Sequence, residues 1–87
     1  MTRDETVQKV LQVVKPYVKN EAAFKSSNDS TRFIEDLQIN SARLVDIVLA
    51  FEDEFQCAIS DEEAETIQTI GSAVDLITQK LNNEVVK

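Results

Sequence analysis

The sequence has no histidine, and only one cysteine, one glycine and one proline in 87 residues. Without histidine the chain lacks the commonest general base at neutral pH and the commonest metal ligand. No Ser–His or Cys–His nucleophilic pair can form within it, and a zinc site would have only Cys57 and carboxylates to draw on. A single cysteine excludes an intramolecular disulfide and fits a reducing compartment, most simply the cytoplasm. One glycine and one proline are too few for strands joined by tight turns. No apolar run is long enough to span a bilayer, and no apolar signal region follows Met1-Thr2-Arg3-Asp4-Glu5-Thr6, so membrane insertion is not expected. Clusters of lysine and arginine are missing too. With a net charge of −7, the chain is unsuited to nucleic acid or an anionic membrane surface and better suited to a basic protein partner.

The length corresponds to one domain, residues 1–87, with stability on the order of 5 kcal/mol. Apolar spacing is helical. Val7, Val10, Leu11, Val14 and Val18 recur at intervals of three and four, which predicts a helix over about 4–19. Pro16 lies inside that pattern and should kink the helix or end it near Lys15. Residues 20–32 read as a connecting loop on which Ala22, Ala23 and Phe24 dock inward, and Phe33, Ile34 and Leu37 return the chain to the interior. A second helix is predicted over about 41–55, with Leu44, Ile47, Val48, Phe51 and Phe55 as its apolar face. Ser60-Asp61-Glu62-Glu63 has the form of a capping box and opens a short helix over about 61–67. Thr69 caps a last helix over about 70–82, with Ile70, Ala73, Val74, Ile77 and Leu81 inward and the tail from Asn82 frayed. The expected fold is all-α: a small bundle of three main helices plus one short helix.

Charge is unevenly placed. Residues 36–65 hold nine acidic side chains and one basic one, Arg43, for a local net of −8. The bland reading is a solvated face. Its concentration on the second helix and the segment after it also fits a docking surface. A calcium loop is excluded, because Asp61-Glu62-Glu63-Ala64-Glu65 lacks alternating ligands and the turn glycine.

Ser41 opens the second helix. Taken alone it is a plain N-cap, a role Asn40 suits equally. The surrounding segment changes that reading. Glu35-Asp36-Leu37-Gln38-Ile39-Asn40-Ser41-Ala42-Arg43-Leu44 resembles the acyl carrier protein segment that usually reads Glu-Asp-Leu-Gly-Ala-Asp-Ser-Leu-Asp. The resemblance continues through Val45 to Phe55, through Ile59 to Glu65 and through Thr69-Ile70-Gly71-Ser72-Ala73-Val74-Asp75-Leu76-Ile77. It implies an acyl-carrier-like bundle that is not an enzyme. Ser41 would bear a covalent 4′-phosphopantetheine arm, taken from coenzyme A by a phosphopantetheinyl transferase. The arm's thiol would present acyl groups as thioesters to fatty acid or related biosynthetic enzymes. A phosphodiester at Ser41 would face open backbone N–H groups and the positive end of a helix dipole.

Asp36, Arg43, Asp46, Glu52, Asp53 and Glu54 are the expected docking residues, meeting basic patches on acyl-transferring or acyl-synthesising enzymes. No metal site or catalytic residue is expected, and the chain should be a monomer. Cys57 falls where the family has an apolar core residue and reads as a small buried hydrophobe. Tyr17 reads as a packing aromatic. Four departures from the family pattern surround the serine. Asn40 replaces an aspartate, Ala42 a leucine, Arg43 an often acidic residue, and Gln38 a glycine. They imply a specialised carrier rather than the housekeeping one of fatty acid synthesis. The alternative is an unmodified carrier-like module that docks on a basic partner and never bears an arm.

Overall fold

The computed structural model describes the backbone of residues 2–86 and the side chains of residues 2–81. It contains five helices and, among the described residues, no strands. Helix α1 spans Arg3–Val14 and begins at a capping box. The Glu5 N–H donates to Thr2 Oγ1 at 3.2 Å, and the Thr2 N–H donates to Glu5 Oε1 at 3.0 Å. Val10 and Val14 are buried on its inner face. The helix stops at Val14, short of residue 19, because Pro16 cannot continue the ladder; Lys15–Tyr17 tighten into a 3-10 turn instead.

The segment expected as a loop over 20–32 contains a short helix, α2, at Glu21–Lys25. Asn20 starts it, its Oδ1 accepting from the Ala23 N–H at 3.2 Å. Five residues are too few to display a helical period, which is why the pattern did not reveal it. Ala23 and Phe24 pack against the core as expected. Ala22 instead faces solvent, since its neighbours already occupy the inner side of that single turn. Ile34 also differs from expectation and is 38% exposed, while Phe33 and Leu37 are fully buried.

Helix α3, Leu44–Phe55, follows a 3-10 turn at Ser41–Arg43. Helix α4 is one turn, Asp61–Ala64, opened by the Ser60–Glu63 capping box. It ends before residue 67 because Thr66 and Ile67 turn the chain toward the last helix through short backbone bonds to Glu63 and Ala64. Helix α5 runs Ile70–Val86. Its start has Thr69 Oγ1 accepting from the Ser72 N–H at 3.1 Å and Ser72 Oγ accepting from the Thr69 N–H at 3.0 Å. The backbone stays helical beyond residue 82 to Val86, where fraying was expected.

Helix α1 packs on α3 and α5. Between them lies a core that includes Val10, Val14, Phe33, Ile47, Phe51 and Ile77. Full burial of a phenylalanine such as Phe33 or Phe51 contributes about 2–3 kcal/mol. Cys57 is 8% exposed and belongs to this core, and Tyr17 packs against its edge. No helix among the described residues is long and apolar enough to cross a membrane.

The segment leading to Ser41 has little regular structure of its own and is fixed from outside. The Gly71 N–H donates to the Asp29 carbonyl at 2.9 Å, the Ile70 N–H to the Thr31 carbonyl at 3.0 Å, and the Phe33 N–H to the Gln68 carbonyl at 3.0 Å. Arg3 joins three elements, reaching Asp29 at 3.3 Å and Asp75 at 2.7 Å. The Leu37 carbonyl accepts from the N–H groups of both Lys19 and Asn20. This lattice delivers residues 38–40 to the mouth of α3.

Candidate functional site

Ser41 sits at the junction between that anchored segment and α3. Asn40 is extended, and its Oδ1 accepts from the Ala42 N–H at 2.9 Å. Its carbonyl accepts from the Arg43 N–H at 2.8 Å. Asn40 is therefore the cap. Ser41 is exposed, and its hydroxyl makes no hydrogen bond to the described residues. The plain N-cap role for Ser41 is thereby removed. One expectation needs correction: the N–H groups of Ala42, Arg43 and Leu44 are already engaged, the last by the Ser41 carbonyl. What an anion at Ser41 meets is the positive end of the helix dipole rather than a ring of open donors.

Immediately before the site, Gln38 has φ 56°, in the left-handed region that favours glycine. It occupies the position where the resemblance has glycine, the residue that adopts this conformation most readily.

The charged residues expected to dock are mostly engaged within the chain. Asp36 is gripped by Arg32, with Nη2 at 3.0 Å from Oδ1 and Nε at 3.3 Å from Oδ2. Its Oδ2 also accepts from the Arg32 N–H at 2.8 Å. The guanidinium first, and that N–H second, hold its carboxyl below the ordinary range. Arg43 Nη1 pairs with Asp46 Oδ2 at 3.1 Å. This is the anion that a cation in the first turn of a helix requires. Glu52 Oε2 accepts from the Ile59 N–H at 3.0 Å and so ties α3 to the start of the α4 segment. Glu54 Oε2 lies 3.2 Å from Lys9 Nζ on α1. The carboxylate of Asp53 has no partner among the described residues, and neither do those of Asp61, Glu62 and Glu65. Asp46, Glu52 and Asp53 share the α3 surface that Ser41 opens. Asp36 lies in the preceding loop, and Glu54 turns toward α1.

Two residues outside the expected set complete the surface. Val45 and Leu49 are 66% and 57% exposed and stand one turn apart on α3. They border a cleft of about 290 Å³ between α3 and α4, whose apolar lining also includes Leu44, Val48, Ile59 and Ala64. The signal was present in the sequence: apolar residues run around more of this helix than one buried face needs. Among the described residues there is no group of histidine, cysteine and carboxylate side chains that could hold a metal.

The site is thus one exposed, uncommitted hydroxyl at a helix start, beside an apolar cleft with an acidic rim, on a small helical bundle. Such an arrangement suits a domain that presents a group attached to it. Known proteins agree. The family described as a phosphopantetheine attachment site matches residues 6–77. An acyl carrier protein of Petrotoga mobilis is 39% identical over 85 residues, covering 94% of each chain. The mitochondrial acyl carrier protein of Saccharomyces cerevisiae is 33% identical over 79 residues, spanning 88% of this chain and 63% of that one. A solved structure of acyl carrier protein from Enterococcus faecalis superposes with a TM-score of 0.76 at 39% identity, covering 92% of this chain and 99% of that one. The chain belongs to the acyl carrier protein family. It is a carrier rather than an enzyme, and the cofactor of its domain is covalently attached 4′-phosphopantetheine.

Proposed function

We propose that Ser41 is the attachment point and that the chain, as a single carrier unit, serves acyl-handling enzymes in the cytoplasm. The observation that supports this is the Ser41 hydroxyl, exposed and free of any capping duty because Asn40 performs it. Loading forms a bond from Ser41 Oγ to phosphorus and breaks the pyrophosphate bond of coenzyme A, releasing adenosine 3′,5′-bisphosphate. No described residue forms a hydrogen bond to the Ser41 hydroxyl, so the group that takes the serine proton belongs to the transferase. When attached, the arm supplies a terminal thiol that holds acyl groups as thioesters. The chain's own residues orient and shelter: the start of α3 favours the phosphodiester charge, and the cleft behind Val45 and Leu49 suits apolar cargo.

Basic patches on the transferase and on acyl-transferring or acyl-synthesising enzymes are the complementary surfaces. The changes at Gln38, Asn40, Ala42 and Arg43 favour a specialised carrier, and we take the chain to work as a monomer. The test is incubation with coenzyme A and a broad-specificity phosphopantetheinyl transferase, read by intact mass and peptide mapping. One arm on Ser41, absent in Ser41→Ala, is expected. An arm on another serine, or no reaction with any transferase tried, refutes the reading and leaves the unmodified docking module in its place.

A further inference from the structure

The ion pairs divide the acidic face in a way its net charge conceals. Asp46 is the acidic residue in the first turn of α3, and Arg43 holds it at 3.1 Å. Both side chains are well exposed, at 62% and 46%, and pairs of this kind contribute little to folding. An approaching cation, however, meets the two charges together, and they nearly cancel. Beside Asp46, and one turn farther along the helix, stand the exposed apolar side chains of Val45 and Leu49. Only beyond them does the negative charge go uncompensated by a cation. Glu52 and Asp53 end α3, and Asp61, Glu62 and Glu65 lie on and just after α4, whereas Glu54 and Glu63 are paired with Lys9 and Lys80.

We propose that Arg43 is a specificity-determining residue: by masking Asp46 it makes the half of the face beside Ser41 neutral and apolar, and confines the attractive charge to the end of α3 and to α4. The fitting partner is an enzyme whose active-site mouth has an apolar, uncharged rim and whose lysine or arginine patch lies farther out, over α4. An enzyme with cations at the mouth itself meets Arg43 and is disfavoured. This rests on Ser41 being the loading site and adds which surface charges choose the partner.

The experiment measures steady-state loading of the apo chain, with coenzyme A, by a phosphopantetheinyl transferase that carries lysine or arginine at its active-site mouth, the class of partner that Arg43 disfavours. The proteins are wild type, Arg43→Gln, Asp46→Asn and the double variant, at low and moderate salt. Glu21→Gln, on α2, serves as a charge control, and Arg43→Ala guards against an effect peculiar to glutamine. Helical circular dichroism checks that each variant folds. Unmasking Asp46 in Arg43→Gln should lower KM about two- to fivefold with kcat unchanged, and salt should erase the gain. Asp46→Asn should raise KM by a similar factor, and the double variant should return to the wild-type value, because the two opposite charges superpose. A double variant that keeps the gain, or an unchanged KM in Arg43→Gln, while Ser41 is loaded normally, overturns the masking and leaves the Ser41 reading intact. Failure of the wild type to be loaded at Ser41 overturns the Ser41 reading and this inference with it.

Discussion

Replacing Gly71 by alanine should destabilise the protein, although helix propensity alone argues for the opposite. Gly71 is the second residue of α5, and alanine there would ordinarily gain up to about 1 kcal/mol. A Cβ on Gly71 would lie 2.8 Å from the Asp29 carbonyl oxygen, 2.9 Å from Asp29 Cβ and 3.3 Å from its Cα. Two of these three atoms are backbone, so no flexible side-chain end can swing away. Relief requires residues around Asp29 to back off, which breaks the Gly71–Asp29 hydrogen bond and loosens the Arg3–Asp29 pair. Overpacking of this kind costs about 1–3 kcal/mol, and the hydrogen bond adds about 1 more. Against the propensity gain the net loss is about 1–3 kcal/mol, a fall in Tm of about 5–15 °C for a chain of this size. Thermal and urea unfolding of wild type and Gly71→Ala measure it. A variant as stable as wild type, or more stable, would show that the Asp29 segment yields freely and that its anchoring is weaker than described.

Thr78→Val should raise stability by about 1 kcal/mol, because Thr78 Oγ1 is buried without a hydrogen-bond partner among the described residues; a urea midpoint that stays put or falls at constant m refutes this. The Glu63 carboxyl is held below its ordinary value, first by the Lys80 ammonium at 2.7 Å and then by the Ser60 N–H. A depressed carboxyl stabilises the fold above its unfolded pKa and loses that contribution as pH falls through the folded one. The stability gap between wild type and Glu63→Gln should therefore be open at pH 7 and close below about pH 4, whereas a gap independent of pH would mean that the carboxylate charge is irrelevant. Moderate salt or magnesium should raise Tm by screening the uncompensated carboxylates at Asp53, Asp61, Glu62 and Glu65 in a chain of net charge −7; a melt insensitive to both would show that their repulsion matters little.

What could be read from the sequence were features carried by residues close together in it. The apolar periods of α1, α3 and α5, the Ser60–Glu63 box and the stop imposed by Pro16 depend on neighbours within four positions, and each appears in the structure. Features set by distant partners were not legible. The segment before Ser41 looks like polar linker, yet Arg3 and Asp75, 72 residues apart, help to hold it. Glu52 and Glu54 look alike in the sequence, but one caps the Ile59 N–H and the other pairs with Lys9, and only the tertiary fold assigns these tasks. Around Ser41 the ambiguity was local: Asn and Ser are equal cap residues, and the extended backbone of Asn40 decides between them. The exposed ridge of Val45 and Leu49 was within reach, since a helix apolar on more than one side requires a second surface to meet it.

The assignment of the capping bond to Asn40 has a thermodynamic consequence. If Ser41 is the attachment point, esterifying a hydroxyl that caps nothing removes no hydrogen bond from the folded state. By linkage, whatever the helix dipole contributes to the attached phosphodiester it contributes to the stability of the loaded fold. Had Ser41 closed the first turn itself, each attachment would have cost a helix cap, about 1 kcal/mol, and loaded and unloaded chains would differ in stability. With the cap one residue back, attachment at Ser41 would carry no such penalty, and a loaded chain would not be the one lost first to unfolding and proteolysis.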